Sequence, residues 1–343
     1  MARTGTRYGA RMTDRLGLAL VGAGRMGRTH LQALARARGF ELRAICESSE
    51  AVAASLDVDV PVDRELELTL AREDVAAVLI AAPTPLHGGI VARALATGRH
   101  VLCEKPLTLD AAADARLALE AQQRSLVLHV GFWRRHAWPY REAHRLIEAG
   151  AIGEVRLVRL CQWDAEPPPA AFCDVRVSGG LEVDCGVHEC DLAAWLAGSR
   201  LVDVSARGSA TRPELAEVGD VEAVVAVLTT AAGHAITIDL SRTCAYGDVV
   251  RSEIVGARGA LLIEAHGAGA LALGDEHGLT PQPALADDVL LKALAHQADV
   301  FAAAIGGERG VVSAGPVEAS AALVAAQAMR AARLSGRTER IGA

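Results

Sequence analysis

Short apolar runs alternate with alanine-rich amphipathic stretches through the first 130 residues of the chain. The runs Leu16–Val21, Leu42–Cys46, Ala77–Ala81, His100–Cys103 and Leu126–Val130 close at or near Gly, Pro or charge, the pattern of short buried strands. Helical patterns fill the gaps at 26–37, 49–56, 86–97 and 110–123. Strands alternating with helices predict a doubly wound parallel sheet. Pro83 and Pro106 stop strands and open loops at their carboxyl ends, where such sheets bind ligands.

From Gly131 the pattern changes. A helix is expected over Ala137–Ala149, then a strand at Glu154–Gln162, a Pro167–Pro169 loop and a further helix from about Gly180. Strand-like stretches follow at Leu201–Ser205, Val221–Leu228, Ala235–Leu240 and Arg251–Val255, with turn signals between them. They predict a meandering, mostly antiparallel sheet rather than more βαβ units. An alanine-rich helix over about 316–334 ends the chain. The expected organisation is a loose extension at 1–13, a first domain at 14–131 and a second α/β domain at 132–343.

Composition narrows the function. A formal charge of −7 over 343 residues, with no basic stripe, argues against nucleic acid as a partner. No apolar run approaches the roughly 20 residues of a membrane-spanning helix. Seven cysteines, an odd number spread from Cys46 to Cys244, suit reduced thiols in a cytoplasmic enzyme better than a disulfide framework. Only two of the 35 Lys and Arg residues are lysines, and one of them, Lys105, stands in Glu104-Lys105-Pro106. A desolvated ammonium can exchange its proton where a guanidinium stays charged, so Lys105 is a candidate for chemistry.

The first strand runs into Gly22-Ala23-Gly24-Arg25-Met26-Gly27, a G-x-G-x-x-G that opens a helix. In this pattern Gly22 permits the turn, Gly24 lets backbone approach a pyrophosphate, and Gly27 allows close helix–strand packing. Arg25 and Met26 complete the candidate turn. Glu47, at the end of the second strand, is placed to bind ribose hydroxyls and to repel a 2′-phosphate. NAD is therefore expected over NADP, with NADP still possible beside Ser48 and Arg43.

Farther on, Asp184, His188 and Asp191 recur at i, i+4 and i+7 and would share one helical face. A carboxylate one turn from an imidazole suits a general base. Cys185, His188 and Cys190 lack the spacing of a zinc site, so no metal is expected.

The sequence resembles the Gfo/Idh/MocA oxidoreductase family, and within it the inositol dehydrogenase-like members. The resemblance is carried by Gly22–His30, Ala82-Pro83-Thr84-Pro85-Leu86-His87, Glu104-Lys105-Pro106, Gly131-Phe132-Trp133-Arg134-Arg135, Gly179–Asp191 and Ser241–Gly247 with Glu253–Gly256. It implies a Rossmann domain followed by an α/β domain whose open sheet forms homo-oligomer contacts, in a dimer or tetramer. It also implies a nicotinamide cofactor and reversible oxidation of a secondary hydroxyl on a cyclitol or sugar. Lys105, Asp184 and His188 would be the catalytic trio. Pro83, Thr84, His87 and Glu104 would line the nicotinamide end, and a cis peptide would join Lys105 to Pro106.

Substrate contacts are expected from Trp133, Arg135 and Trp163 beside the trio. Relatives often carry an Arg-Asp-Pro-like stretch where this chain reads Trp163-Asp164-Ala165, and Arg135-His136-Ala137-Trp138 departs too. An indole packs on sugar C–H surfaces but cannot supply a charged fork, so a different polyol would fit; core or interface packing remains the alternative for Trp163 and Trp138. Two competing functions are NAD-dependent glycoside cleavage by transient oxidation and a non-catalytic NAD-binding sensor.

Overall fold

The computed structural model describes residues 15–245, 247–264, 270–275, 277–282, 288–308 and 313–342. The expected extension at 1–13 and Tyr246 of the Ser241–Gly247 motif lie outside them. Six strands, β1 (Leu16–Val21), β2 (Phe40–Cys46), β3 (Val62–Asp63), β4 (Ala77–Ile80), β5 (His100–Cys103) and β6 (Leu128–Val130), form one sheet in the order β3-β2-β1-β4-β5-β6. Every pairing in it is parallel. Strand order reverses between β1 and β4, which opens a crevice at their carboxyl ends.

Residues alternate along β1 between two cores. Ala19 and Val21 join one apolar cluster, Leu18 and Leu20 the other, so the central strand is buried on both faces. The second cluster is completed by a helix that periodicity did not predict, Val289–Ile305. Its Leu294, Ala298, Phe301 and Ala302 cover the first sheet against Leu18, Phe40 and Leu79. Burying a ring such as Phe301 contributes about 2 kcal/mol or more. The helix approaches so closely that a Cβ on Gly39 would sit 2.3 Å from the Ala302 Cβ.

The second sheet has nine strands, ordered β14-β13-β12-β11-β7-β10-β9-β8-β15. They are β7 (Val155–Trp163), β8 (Leu201–Ser209), β9 (Ala223–Thr230), β10 (Ala235–Ser241), β11 (Val249–Gly256), β12 (Ala260–Glu264), β13 (Ala270–Asp275), β14 (Gly278–Pro281) and β15 (Glu339–Arg340). All pairings are antiparallel except β7 with β10, as the meander pattern led us to expect. Strands β12 to β15 were not anticipated. The helices Trp138–Glu148, Gly186–Ala197 and Pro316–Ser335 pack on one face. The other face presents Val225 and Val227, 54% and 53% exposed.

Candidate active site

A cavity of about 1310 Å³ opens between the carboxyl ends of the first sheet and the Gly186–Ala197 helix. Arg25, Met26, Glu104, Lys105, Trp133, Asp184 and His188, scattered over 164 positions of sequence, all border it.

The turn after β1 shows why its glycines are where they are. Gly22 has φ +90, and a Cβ there would meet the Ala81–Ala82 backbone at 2.8–2.9 Å. A Cβ on Gly27 would collide with the Gly22 carbonyl at 2.1 Å. Gly24 is different: its Cβ would meet nothing within 4 Å, so the space above it is an open cradle. No side chain caps the Arg25–Leu34 helix that starts there, leaving its first amides to face an anion. These features fit a dinucleotide pyrophosphate. Glu47 is fixed beside the turn, accepting the Ala23 amide at 2.8 Å and the Ser49 amide at 2.7 Å.

Pro83, Thr84 and His87 do not border this cavity. His87 is a buried staple instead, its ring nitrogens each 2.8 Å from the carbonyls of Pro106 and Ala82. It ties the loop after β4 to the Lys105–Pro106 peptide, which is cis. Glu104 does border the cavity and sits 2.7 Å from His30 Nε2. Burial pushes its carboxyl up, but His30 and Lys105 outweigh that and hold it below the usual carboxylate range.

Asp184 and His188 do not lie on one continuous helix. The short Leu181–Asp184 helix ends at Cys185, and a new helix, Gly186–Ala197, begins. Across this joint the His188 amide donates to the Cys185 carbonyl at 3.1 Å. The Asp184 carbonyl is thereby released to accept Lys105 Nζ at 2.7 Å, while Oδ1 of its carboxylate lies 3.3 Å from the same nitrogen. Asp184 Oδ2 accepts from Arg242 Nη1 at 2.6 Å. Burial would raise this carboxyl, yet Lys105 and Arg242 together lower it. Asp184 thus serves Lys105 rather than the His188 ring, which corrects the helical-face reading.

His188 is 5% exposed and meets Phe132 edge-on at 5.7 Å. Its Nδ1 is buried without a partner. Burial first, then the charges of Lys105 and Arg134, push its pKa well below the ordinary histidine value, so the ring is neutral near pH 7.

Three expected residues turn away. Asp191 takes a bidentate pair from Arg135, at 2.8 and 2.6 Å, and Arg135 lies over the Trp195 ring. Both are structural, and Arg135 is not a cavity residue. In the 3₁₀ turn Trp133–His136 it is Arg134 that reaches the cavity, held by buried Glu189 and by Gln162 Oε1. Trp163 fails for a simpler reason: side chains alternate along β7, so Gln162 and Asp164 face the cavity and Trp163 faces the opposite side. There its indole donates to Asp239 at 3.3 Å. Trp138 borders a separate small cavity with His136 and His296.

Sequence reasoning missed Arg134, Gln162, Asp164, Phe172 and Asp248 on the cavity wall, and Arg242 behind it. The strand period could have found Gln162 and Asp164. Among the described residues, no three His, Cys, Asp or Glu side chains gather as metal ligands, and no helix is long and apolar enough to cross a membrane.

Comparison with known proteins agrees with the fold. Residues 16–132 match the oxidoreductase family with an NAD-binding Rossmann fold, and residues 140–262 match the GFO/IDH/MocA C-terminal domain. The chain is 31% identical over 302 residues to the inositol 2-dehydrogenase of Rhizobium meliloti, covering 86% of this chain and 89% of that protein. It is 30% identical over 258 residues to the scyllo-inositol 2-dehydrogenase (NAD(+)) of Bacillus subtilis, covering 74% and 75%. The crystal structure of scyllo-inositol dehydrogenase from Lactobacillus casei with bound NAD(H) and scyllo-inositol superposes with a TM-score of 0.81 at 25% identity, over 96% of this chain and 100% of that one.

Proposed function

From the premise that this chain belongs to the GFO/IDH/MocA oxidoreductase family, we propose that it oxidises a secondary hydroxyl of a cyclitol or sugar to a ketone, reversibly and with NAD. The observation that carries this reading is the meeting of Lys105, Asp184 and His188 on one cavity beside the glycine turn.

Gly22, Gly24, Gly27, Arg25, Met26 and Glu47 would hold the dinucleotide, with Glu104 nearer its reactive end. Bound NAD supplies the acceptor for the hydride leaving the carbinol carbon. Lys105 would donate an N–H to the reacting oxygen and stabilise the negative charge that develops there. Asp184 aims that ammonium through its carbonyl and Oδ1. His188, neutral at the start, would take the hydroxyl proton; its buried Nδ1 leaves Nε2 as the nitrogen for the transfer. Trp133, Arg134, Gln162 and Asp164 would choose the polyol. Arg134, Gln162 and Asp164 form a hydrogen-bonded row that offers both donors and acceptors to ring hydroxyls.

We further take 14–131 and 132–343 as the two domains, the Val289–Ile305 helix strapping the second to the first. The open sheet face would join copies into a dimer or tetramer. Seven free cysteines fit a reducing, cytoplasmic setting.

The test is NAD reduction at 340 nm across inositol isomers, aminocyclitols, aldoses and glycosides. Reduction with at least one cyclitol or sugar is expected. Tight NAD binding with no reduction by any member of the panel would refute the reading and revive a sensor. Aglycone release without net NADH would mark glycoside cleavage instead.

A further inference from the structure

Behind the catalytic wall lies a chain of four alternating charges, Lys105, Asp184, Arg242 and Asp220. Arg242 is 0% exposed, a large buried cation that neither touches the cavity nor was anticipated from sequence. Its Nη1 reaches Asp184 Oδ2 at 2.6 Å. Its Nε and Nη2 grip Asp220 Oδ2 at 3.1 and 2.8 Å. Asp220 Oδ1 accepts the Leu181 amide at 2.7 Å, at the start of the short helix that ends in Asp184. Arg242 therefore meets the Asp184 turn at both ends, through the carboxylate at one and through Asp220 at the other.

We propose that Arg242 is a positioning residue for the reaction, drawing on one oxygen of Asp184 so that the Lys105 ammonium stays aimed into the cavity and is not locked in a full ion pair. This rests on the dehydrogenase reading above. Asp184 is an acceptor shared between two cations, one on each oxygen, and Asp220 balances the outer cation. A lone buried carboxylate facing Lys105 would hold it far more strongly, because charges attract more in a low-dielectric interior. A guanidinium suits the post: it presents a fixed fork of donors and does not deprotonate.

The remaining groups around Asp184 do not replace it. From the end of β7, Asp164 is linked through the Cys185 thiol, 3.5 Å from Asp164 Oδ2 and 3.9 Å from Asp184 Oδ2. His188 is neutral, and Cys173 of the Ala170–Cys173 helix is a buried thiol whose pKa burial raises. Cations at Asp184 are Lys105 and Arg242.

The test uses the scarcity of lysine. With only Lys105 and Lys292 in the chain, acetic anhydride labelling followed by peptide mass analysis reads Lys105 against exposed Lys292 in the same sample. In Arg242→Met, Asp184 faces Lys105 alone, and the Lys105 to Lys292 labelling ratio should fall several-fold at fixed pH. In Asp220→Asn, Arg242 spends its charge wholly on Asp184, and the ratio should rise. General misfolding would move both variants in one direction, so opposite signs separate positioning from a structural role. Arg242→Lys should recover part of the parent ratio and, on whichever polyol the parent oxidises, part of kcat, while Arg242→Met loses at least tenfold. In Arg242→Met the acid limb of kcat should move to higher pH, since Asp184 has lost a cation that lowers it. Folded variants with unchanged labelling ratios would overturn the proposal. A parent that oxidises no polyol would refute the functional reading while leaving the labelling result decisive for Arg242.

Discussion

Replacing Lys105 by Met removes the charge and all three donors while keeping an unbranched chain of similar reach. In the free enzyme the ammonium makes one hydrogen bond of 2.7 Å to the Asp184 carbonyl and one contact of 3.3 Å to its carboxylate. Both acceptors lose a partner, at a cost of about 1–3 kcal/mol in stability. Arg242 still pairs with the carboxylate, so the fold should survive. During the reaction the loss is larger. Removing one donor from a developing oxyanion costs about 2.7–4 kcal/mol, or 10²–10³ in turnover. The Lys105 side chain is 19% exposed, so water screens part of its field, and the lower figure applies. We expect kcat to drop about 100-fold with NADH affinity unchanged, because the cradle at Gly24 is formed by other residues. Steady-state rates at 340 nm, NADH fluorescence titration and a thermal melt on the same preparation check the three parts. A folded variant turning over within about threefold of the parent would remove Lys105 from the mechanism.

Gly24→Ala should weaken NADH binding with little change in melting temperature, because its Cβ fills only the open cradle; Gly27→Ala, whose Cβ meets a carbonyl at 2.1 Å, should lower the melting temperature itself. Equal melts for the two variants would contradict this. Glu47→Gln should narrow the preference for NADH over NADPH, measured by paired titrations; tighter NADPH than NADH binding by the parent would reverse the assignment. Acid should destabilise the protein between about pH 6.5 and 4. Burial pushes His129 and His296 down to about 4, so the unfolded chain binds more protons in that interval and stability falls as pH drops through it. Each contributes at most about 3 kcal/mol, and His129→Gln should flatten the melting temperature against pH; a parent profile already flat from pH 7 to 4.5 would refute the account.

Much of the first sheet was legible in the chain because local physics dictates it. The strands β1, β4 and β5 are largely apolar runs that end near Gly, Pro or charge, and the glycine turn is required by contacts within a few residues or across one strand. The far strands β12 to β14 were less visible, since they are short and half-exposed and so carry a weaker pattern. The Val289–Ile305 helix is rich in Ala and Leu, and its position on the opposite sheet is set by Phe40 and Gly39, more than 240 residues away in sequence. No local pattern contains that pairing.

The misplaced site residues share one cause: the backbone stops being periodic where the chemistry sits. Sequence spacing placed Asp184 and His188 a turn apart on one helix, and Arg134 and Arg135 were indistinguishable as neighbouring guanidiniums. In the structure a 3₁₀ turn sends Arg134 to the cavity and Arg135 to Asp191. The break at Cys185 is the more consequential case. Were the helix continuous, the Asp184 carbonyl would accept the His188 amide, as an i to i−4 ladder demands. Lys105 would then have to share that oxygen with the helix ladder, and the ammonium would lean more on the carboxylate. The interruption converts a backbone acceptor from a structural partner into a support for the reacting cation, and a sequence read by helical period counts that same acceptor as already spent.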